Sequence, residues 1–402
     1  MQTPAGVKER IPSGIWALGF VSLLMDISSE MIHALLPVYL VTIMGASMET
    51  LGAIEGIAEA TASIVKIFSG AFSDWLGKRK LIVACGYGLS AFTKPLFPLA
   101  PSLGWVVAAR FLDRAGKGIR GAPRDALLAD LAPETIRGAA FGLRKSLDLT
   151  GSFAGPLLAI LLMWLMSNRF RAVFWVAVIP AFLSFGLIAL GVREPKHTAP
   201  PRKAHFPLSR AALARLRPHY WLVVTVSTVF TLAQFSTAFI ILRAKAEGLP
   251  LALIPLVLVA MNIVSALAAL PAGILSDRVN RISVLLFGFA MLIAADLALA
   301  FSTGLGGVAL GIVLWGLHLG FTQGLLPTLV ADTTAPQFRG TAYGLFNLAA
   351  GLALLAASLA AGALWQLLGP RATFLAGALF TLLALLGLAG MRLLAPNLGR
   401  LR

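Results

Sequence analysis

Long apolar runs alternate with short polar breaks along this chain. A helix that crosses a bilayer needs about 20 mostly apolar residues. Twelve such runs are read, approximately at 15–44, 50–73, 81–99, 104–128, 139–165, 172–191, 220–242, 250–274, 282–301, 306–330, 341–366 and 372–391. They are numbered here as spans 1 to 12. Most connections between them are short. The exception is 192–219, VREPKHTAPPRKAHFPLSRAALARLRPH, which is polar, proline-rich and basic. The pattern predicts an all-α membrane protein with twelve transmembrane helices. Two six-helix bundles, 1–191 and 220–402, would be joined by a linker at 192–219.

Composition agrees. The 402 residues are 58% hydrophobic and 12% charged, against about 45–50% and 25% in soluble domains. Disorder is excluded by the low charge, and a disulfide scaffold by Cys85 being the only cysteine. Span 1 is too long for a signal h-region and carries Asp26 and Glu30, so no cleavable leader is expected there.

The net charge of +16, from 33 Lys+Arg against 17 Asp+Glu, would ordinarily suggest nucleic acid. Its distribution points elsewhere. With a cytoplasmic N-terminus, the cytoplasmic loops and tails hold 19 Lys/Arg and the outer loops five, Arg169, Arg171, Arg243, Lys245 and Arg371. This bias predicts that both termini are cytoplasmic. No nucleic-acid partner is expected. The partners are the lipid bilayer and a small-molecule substrate, and a monomer is expected.

The chain repeats itself at half its length. GAFSD at 70–74 recurs as GILSD at 273–277. Ala129-Asp130, Arg137-Gly138 and Gly142-Leu143 recur as Ala331-Asp332, Arg339-Gly340 and Gly344-Leu345. The offsets, 203 and 202, indicate a duplicated six-helix unit. Two parallel halves around a midplane cleft are a transporter design.

The string GAFSDWLGKRK at 70–80 resembles the G-x-x-x-D-R-x-G-R-R motif between helices 2 and 3 of the major facilitator superfamily, with Trp75 in place of the usual Arg. The second copy keeps Asp277-Arg278. In that family the Asp caps a neighbouring helix and pairs with Arg as a cytoplasmic gate. The resemblance assigns the gate to Gly70, Asp74, Gly77, Lys78, Arg79, Asp277 and Arg278. It also implies a bacterial cytoplasmic (inner) membrane location.

Gly142, Gly151, Gly155 and Pro156 are similar to the G(x)8G(x)3GP(x)2GG signature of span 5 in proton-coupled exporters. Ala159-Ile160 replaces the final glycines. Physically, small residues let helices approach and proline bends a span. Generic helix packing is the competing explanation.

Ionisable residues inside spans are functional candidates by default. Span 1 places Asp26, Glu30 and His33 on one face, and span 2 does the same with Glu55, Glu59 and Lys66. Span 4 concentrates Arg110, Asp113, Arg114, Lys117, Arg120 and Arg124 within an arc of about 120°. Arg110 resembles the span 4 Arg that exporters of the family use in proton transfer. Proton coupling is therefore assigned to Asp26, Glu30 and Arg110. Burial favours the protonated carboxyl and a nearby Arg the ionised one, so a mobile Arg could load and release a proton.

The substrate cavity is expected to use His33, Glu55, Glu59, Asp113, Arg114 and Lys117, with Gln234, His318 and Asn347 from the second half. The same charges could instead form a structural salt-bridge network, which is the reading given most weight for Arg120, Arg124, Asp125 and Asp148. Lys94, near the outer end of span 3, is expected to snorkel.

Other chemistry is thin. No catalytic set is found, so no enzyme is expected. Asp26, Glu30 and His33 have ligand spacing, but a transition metal usually takes more than one His, so no metal is expected. No cofactor is expected beyond a coupling proton.

Three functions compete: proton-coupled antiport that exports a small molecule by alternating access, import or exchange of an anionic solute such as an organic acid or metal chelate, and a sensor or lipid-handling role. The missing soluble output domain counts against a sensor.

Overall fold

A computed structural model describes residues 11–133, 136–193, 218–323, 325–334 and 339–394. Among these residues the secondary structure is helical, with no strand. Most of the linker therefore lies outside the described residues.

Span 1 is two helices, Ser13–His33 and Leu36–Thr42. Spans 2 to 6 follow as Met48–Leu76, Arg79–Thr93 with Leu96–Leu99, Leu103–Leu131, Arg137–Leu165 and Phe170–Gly191. Span 7 is Pro218–Ala233 with Ala238–Ala246, and span 8 is Leu256–Arg278, entered through a 3-10 turn at Leu251–Leu253. Spans 9 to 12 are Arg281–Phe301, Leu305–Thr322 with Leu325–Asp332, Arg339–Leu368 and Pro370–Leu394.

Local chemistry sets these boundaries. Ser47 caps span 2 by accepting from the Thr50 amide at 3.1 Å, which satisfies one orphan donor of the first turn. Gly77 ends span 2 at φ 67°, a left-handed position that suits glycine. Pro37 and Pro95 follow the breaks in spans 1 and 3, since proline supplies no amide to the preceding turn.

Nine helices among the described residues are long and apolar enough to cross a membrane. Spans 2, 3 and 4 are not among them. Span 3 is interrupted by its proline, while spans 2 and 4 carry charge on their inner faces.

The repeat is visible in the packing. A side chain at Gly118 of span 4 would strike Ala62 and Val65 of span 2. One at Gly320 of span 10 would strike Ser265 and Ala268 of span 8. These neighbours differ by the same 202–203 residues as the sequence repeat.

The two halves meet along spans 2 and 11 and along spans 5 and 8. Gly52 lies against the Ser358 carbonyl and Gly362, Gly56 against Leu355, and Gly351 against Ser63. The Met48 amide donates to Gln366 Oε1 at 3.2 Å. Asn262 Nδ2 donates to the Ser152 carbonyl at 3.4 Å. The run from Met48 to Ser63 closes the end of the bundle that carries the 43–47 connection.

Candidate functional site

A cavity of about 530 Å³ lies between the halves. One wall is acidic: Glu30 and His33 from span 1, Glu55 and Glu59 from span 2. The facing wall is aromatic and amide-bearing, with Gln234, Phe235, Asn262, Trp315, Gln323, Phe346 and Asn347.

The break in span 7 builds part of this wall. Gln234 to Thr237 separate its two helices, and all four line the cavity. Unwound backbone at membrane depth is tolerated where it borders a cavity. Ser236 uses its hydroxyl twice there. It accepts from the Ala238 amide at 3.2 Å and donates to Glu55 Oε2 at 3.3 Å.

Glu55 is the hub. Its Oε2 also accepts from the Arg110 guanidinium at 2.9 Å and faces His33 Nε2 at 3.7 Å. His33 Nδ1 lies 3.6 Å from Glu30 Oε2. One oxygen thus gathers spans 1, 2 and 4 of the first half and span 7 of the second. The other oxygen, Oε1, has no hydrogen-bond partner among the described residues.

Most of the basic face of span 4 does not reach the cavity. Arg110 is 2% exposed behind Glu55. Arg114 is buried and pairs with Glu59 at 3.3 Å. Asp113 faces span 3, where it pairs with Lys94 at 2.9 Å. Lys94 also donates to Ser29 Oγ at 3.0 Å. The expectation that Lys94 snorkels is corrected: it is buried, because the proline break turns its side chain into the bundle. Asp113 thus differs from its expected place on the cavity wall, since it is drawn to Lys94 outside it, and Arg114 stays buried behind Glu59, the partner that does line the cavity.

Lys117 is exposed, and on a helical wheel it shares the face of Arg110 and Arg114, opposite Leu112 and Trp105. Its exposure is therefore to the interior between the halves, beside the cavity rather than on its lining.

His318 stands behind the wall, fully buried. Its Nε2 meets Gln234 Nε2 at 3.1 Å and its ring packs edge-on to Phe230 and Trp315. Gln234 touches the cavity in its stead.

The span 5 glycines have a direct geometric role. A Cβ at Gly151 would come 2.8 Å from the Leu23 carbonyl and 2.9 Å from Asp26 Cβ. One at Gly155 would come 2.8 Å from the Ile27 carbonyl and 2.7 Å from Glu30 Cβ. Span 5 can therefore lie on the acidic face of span 1 only as glycine at both positions. A Cβ at Gly142 would meet no other element within 4 Å among the described residues, and Pro156 lies inside the helix.

Asp26 is half-buried and makes no hydrogen bond or ion pair among the described residues. Below it Arg124 donates to Ser22 Oγ at 2.9 Å, and Arg144 donates to Asp148 at 2.9 Å. Asp125 lies 3.5 Å from both Arg124 and Arg144. Arg120 stacks on the Tyr87 ring at 4.7 Å.

At the end opposite the 43–47 connection, Arg79 pairs with Asp130 and donates to the Ala126 carbonyl at 3.3 Å. The side chains of Asp74, Asp277 and Arg278 lie outside the described residues. Gly70 packs against Ala122, Gly77 caps span 2, and Lys78 is exposed.

The profile of the Major Facilitator Superfamily matches residues 18–355 and 235–400. An uncharacterized MFS-type transporter from Methanocaldococcus jannaschii is 34% identical over 385 residues, 94% of each chain. The chain belongs to the Major Facilitator Superfamily. It is an integral membrane transporter with that family's two-bundle fold.

Solved superfamily structures share the architecture. The nucleoside transporter NupG superposes with a TM-score of 0.80 at 12% identity, over 94% of this chain and 99% of its own. A D-xylose-proton symporter superposes at 0.72 with 17% identity, over 94% and 96%. Within the superfamily fold, Glu55, His33 and Ser236 mark where this chain's two bundles face each other across the cavity.

Proposed function

We propose that this superfamily member is a proton-coupled antiporter that exports a small organic cation by alternating access, from a bacterial inner membrane with both termini cytoplasmic. The observation that carries the reading is Glu55 Oε2. It joins the His33–Arg110 cluster of one bundle to Ser236 of the other. Loading a positive charge beside Glu55 therefore acts directly on a contact between the bundles.

Charge supports a cation. Glu30, Glu55 and Glu59 line the cavity, whereas Arg110, Arg114 and Lys117 do not, so the wall that a ligand meets is acidic. A proton on His33 and a substrate cation would compete for the same carboxylates, and the two would then exclude one another. The aromatic wall of Phe235, Trp315 and Phe346 suits the apolar body of an organic cation. In the proposed topology the closed 43–47 end faces outward, so the cavity is poised toward the cytoplasm, where export begins.

Lys117 favours a second reading, exchange of an anionic solute, because it is the exposed base on this inner face. Thermal stabilisation of the purified chain separates the two, with quaternary ammonium compounds and aromatic carboxylates as probes. The cation reading expects stabilisation by the ammonium probes, lost in Glu59→Gln. Stabilisation by carboxylates alone, lost in Lys117→Ala, would overturn it.

A further inference from the structure

The second half contains an acid that this mechanism does not use. Asp296 of span 9 is fully buried, and neither carboxyl oxygen has a hydrogen-bond partner among the described residues. Its position in the repeat is informative. Spans 3 and 9 align at an offset of 202 through Arg79 with Arg281 and Gly86 with Gly288. Each of these glycines packs against the next span of its own half, Gly86 on Gly116 and Arg120, Gly288 on Phe321 and Thr322.

At that offset Asp296 stands where Lys94 stands in the first half. Lys94 has its partner, Asp113, at 2.9 Å. The position equivalent to Asp113 is Trp315, which offers no opposite charge. The second half thus repeats the buried ionisable site with the sign reversed and the counter-charge missing.

The surroundings narrow what could complete it. Gly377 of span 12 makes room for the carboxyl: a Cβ there would come 2.7 Å from Asp296 Oδ2 and 3.0 Å from Phe235 Cε1. Phe235 packs on Trp315 at 5.5 Å and on Phe374 at 5.6 Å. Among the described residues, His318, Arg243, Glu247 and Arg371 on the neighbouring spans are engaged elsewhere. His318 meets Gln234, Arg243 donates to the Leu299 and Ser302 carbonyls and pairs with Glu247, and Arg371 lies over Phe301. A hard metal cation needs a shell of about six oxygens, and no group of metal-ligating side chains is found among the described residues. A proton needs one.

We propose that Asp296 is a second proton-binding site, in the C-terminal bundle, separated from the central cavity by the Phe235–Trp315 layer. The carboxyl takes a proton from cavity water and returns it to cavity water when that layer parts. Phe235 and Trp315 both line the cavity, so the route is one side chain thick. The site is independent of His33 and Asp26, and it stands whichever way substrate moves.

The test is dicyclohexylcarbodiimide labelling of the full chain in proteoliposomes, since this reagent attacks protonated carboxyls in apolar surroundings. Adducts are located by mass spectrometry across a pH series. The expected result is an adduct on Asp296 whose formation slows as pH rises, and which forms several-fold faster in Trp315→Ala. Infrared spectra of the same samples should show a carboxylic-acid carbonyl band, sensitive to pH, that Asp296→Asn removes. Asp296→Asn keeps the shape and should fold. Asp113→Asn, which strands Lys94, should lower the unfolding temperature. Adducts confined to span 1 and span 2 acids, or an Asp296 signal indifferent to both pH and Trp315→Ala, would overturn the proposal.

Discussion

Arg110 donates to Glu55 Oε2 at 2.9 Å while the two side chains keep 2% and 1% of their surface exposed. Removing one member of such a pair strands a buried charge and costs about 3–5 kcal/mol. Arg110→Ala is therefore expected to lower the unfolding temperature in detergent sharply. The double variant Arg110→Leu with Glu55→Leu should recover much of the loss, because no charge is stranded. Equal losses in the single and double variants would show that the pair is not what holds spans 2 and 4 there.

Asp26 makes the opposite prediction. It has no ion pair to break, so Asp26→Asn should change stability by only about 0.5 kcal/mol. Proton movement should respond instead. In proteoliposomes carrying an internal pH dye, substrate-dependent proton flux should disappear. Flux that persists in Asp26→Asn would remove this residue from the coupling mechanism.

The span 5 signature should divide by position. Gly155→Val and Gly151→Val force a side chain into the backbone of span 1, and overpacking of this kind costs about 1–3 kcal/mol. Gly142→Ala meets open space and should leave the unfolding temperature unchanged. Three equal effects would mean that the glycines do not act through contact with span 1.

Gly52 and Gly362 close one end of the bundle. Gly52→Leu should wedge spans 2 and 11 apart and favour the alternative arrangement of the halves. Cys85 is the only cysteine, so a Cys85→Ser background permits spin labels at Met48→Cys and Gln366→Cys. The distance between them should lengthen in the wedge variant. An unchanged distribution would show that the end opens elsewhere.

Much of this was legible in the sequence. Apolar runs fixed the number of spans, because each must satisfy its backbone within lipid. The repeat identified equivalent positions, and Glu30, Glu55 and Glu59 of spans 1 and 2 line one wall, while Asp26 does not. What could not be read is contact between spans. Helical spacing places Arg114 and Lys117 on one face, yet only the approach of span 2 decides that Arg114 meets Glu59 and Lys117 does not. Lys94 looked like an end-of-helix residue because its partner lies 19 positions further on. The break at Gln234–Thr237 carries no proline or glycine. Its only hint is a short polar run, so Ser236 and its bond to Glu55 were missed.

Spans 2, 3 and 4 were set apart by their weak apolarity, and this bears on how the protein is made. An Asp, Lys or Arg at the centre of a lone inserting helix costs about 2.5–3.5 kcal/mol. Span 4 carries Arg110, Asp113 and Arg114 in close succession. Their partners arrive earlier in synthesis, Glu55 and Glu59 on span 2 and Lys94 on span 3. Span 4 enters lipid favourably only after its neighbours are waiting for it. The order of helices along the chain is thus also an assembly order, in which each of these span 4 charges follows a partner already in place.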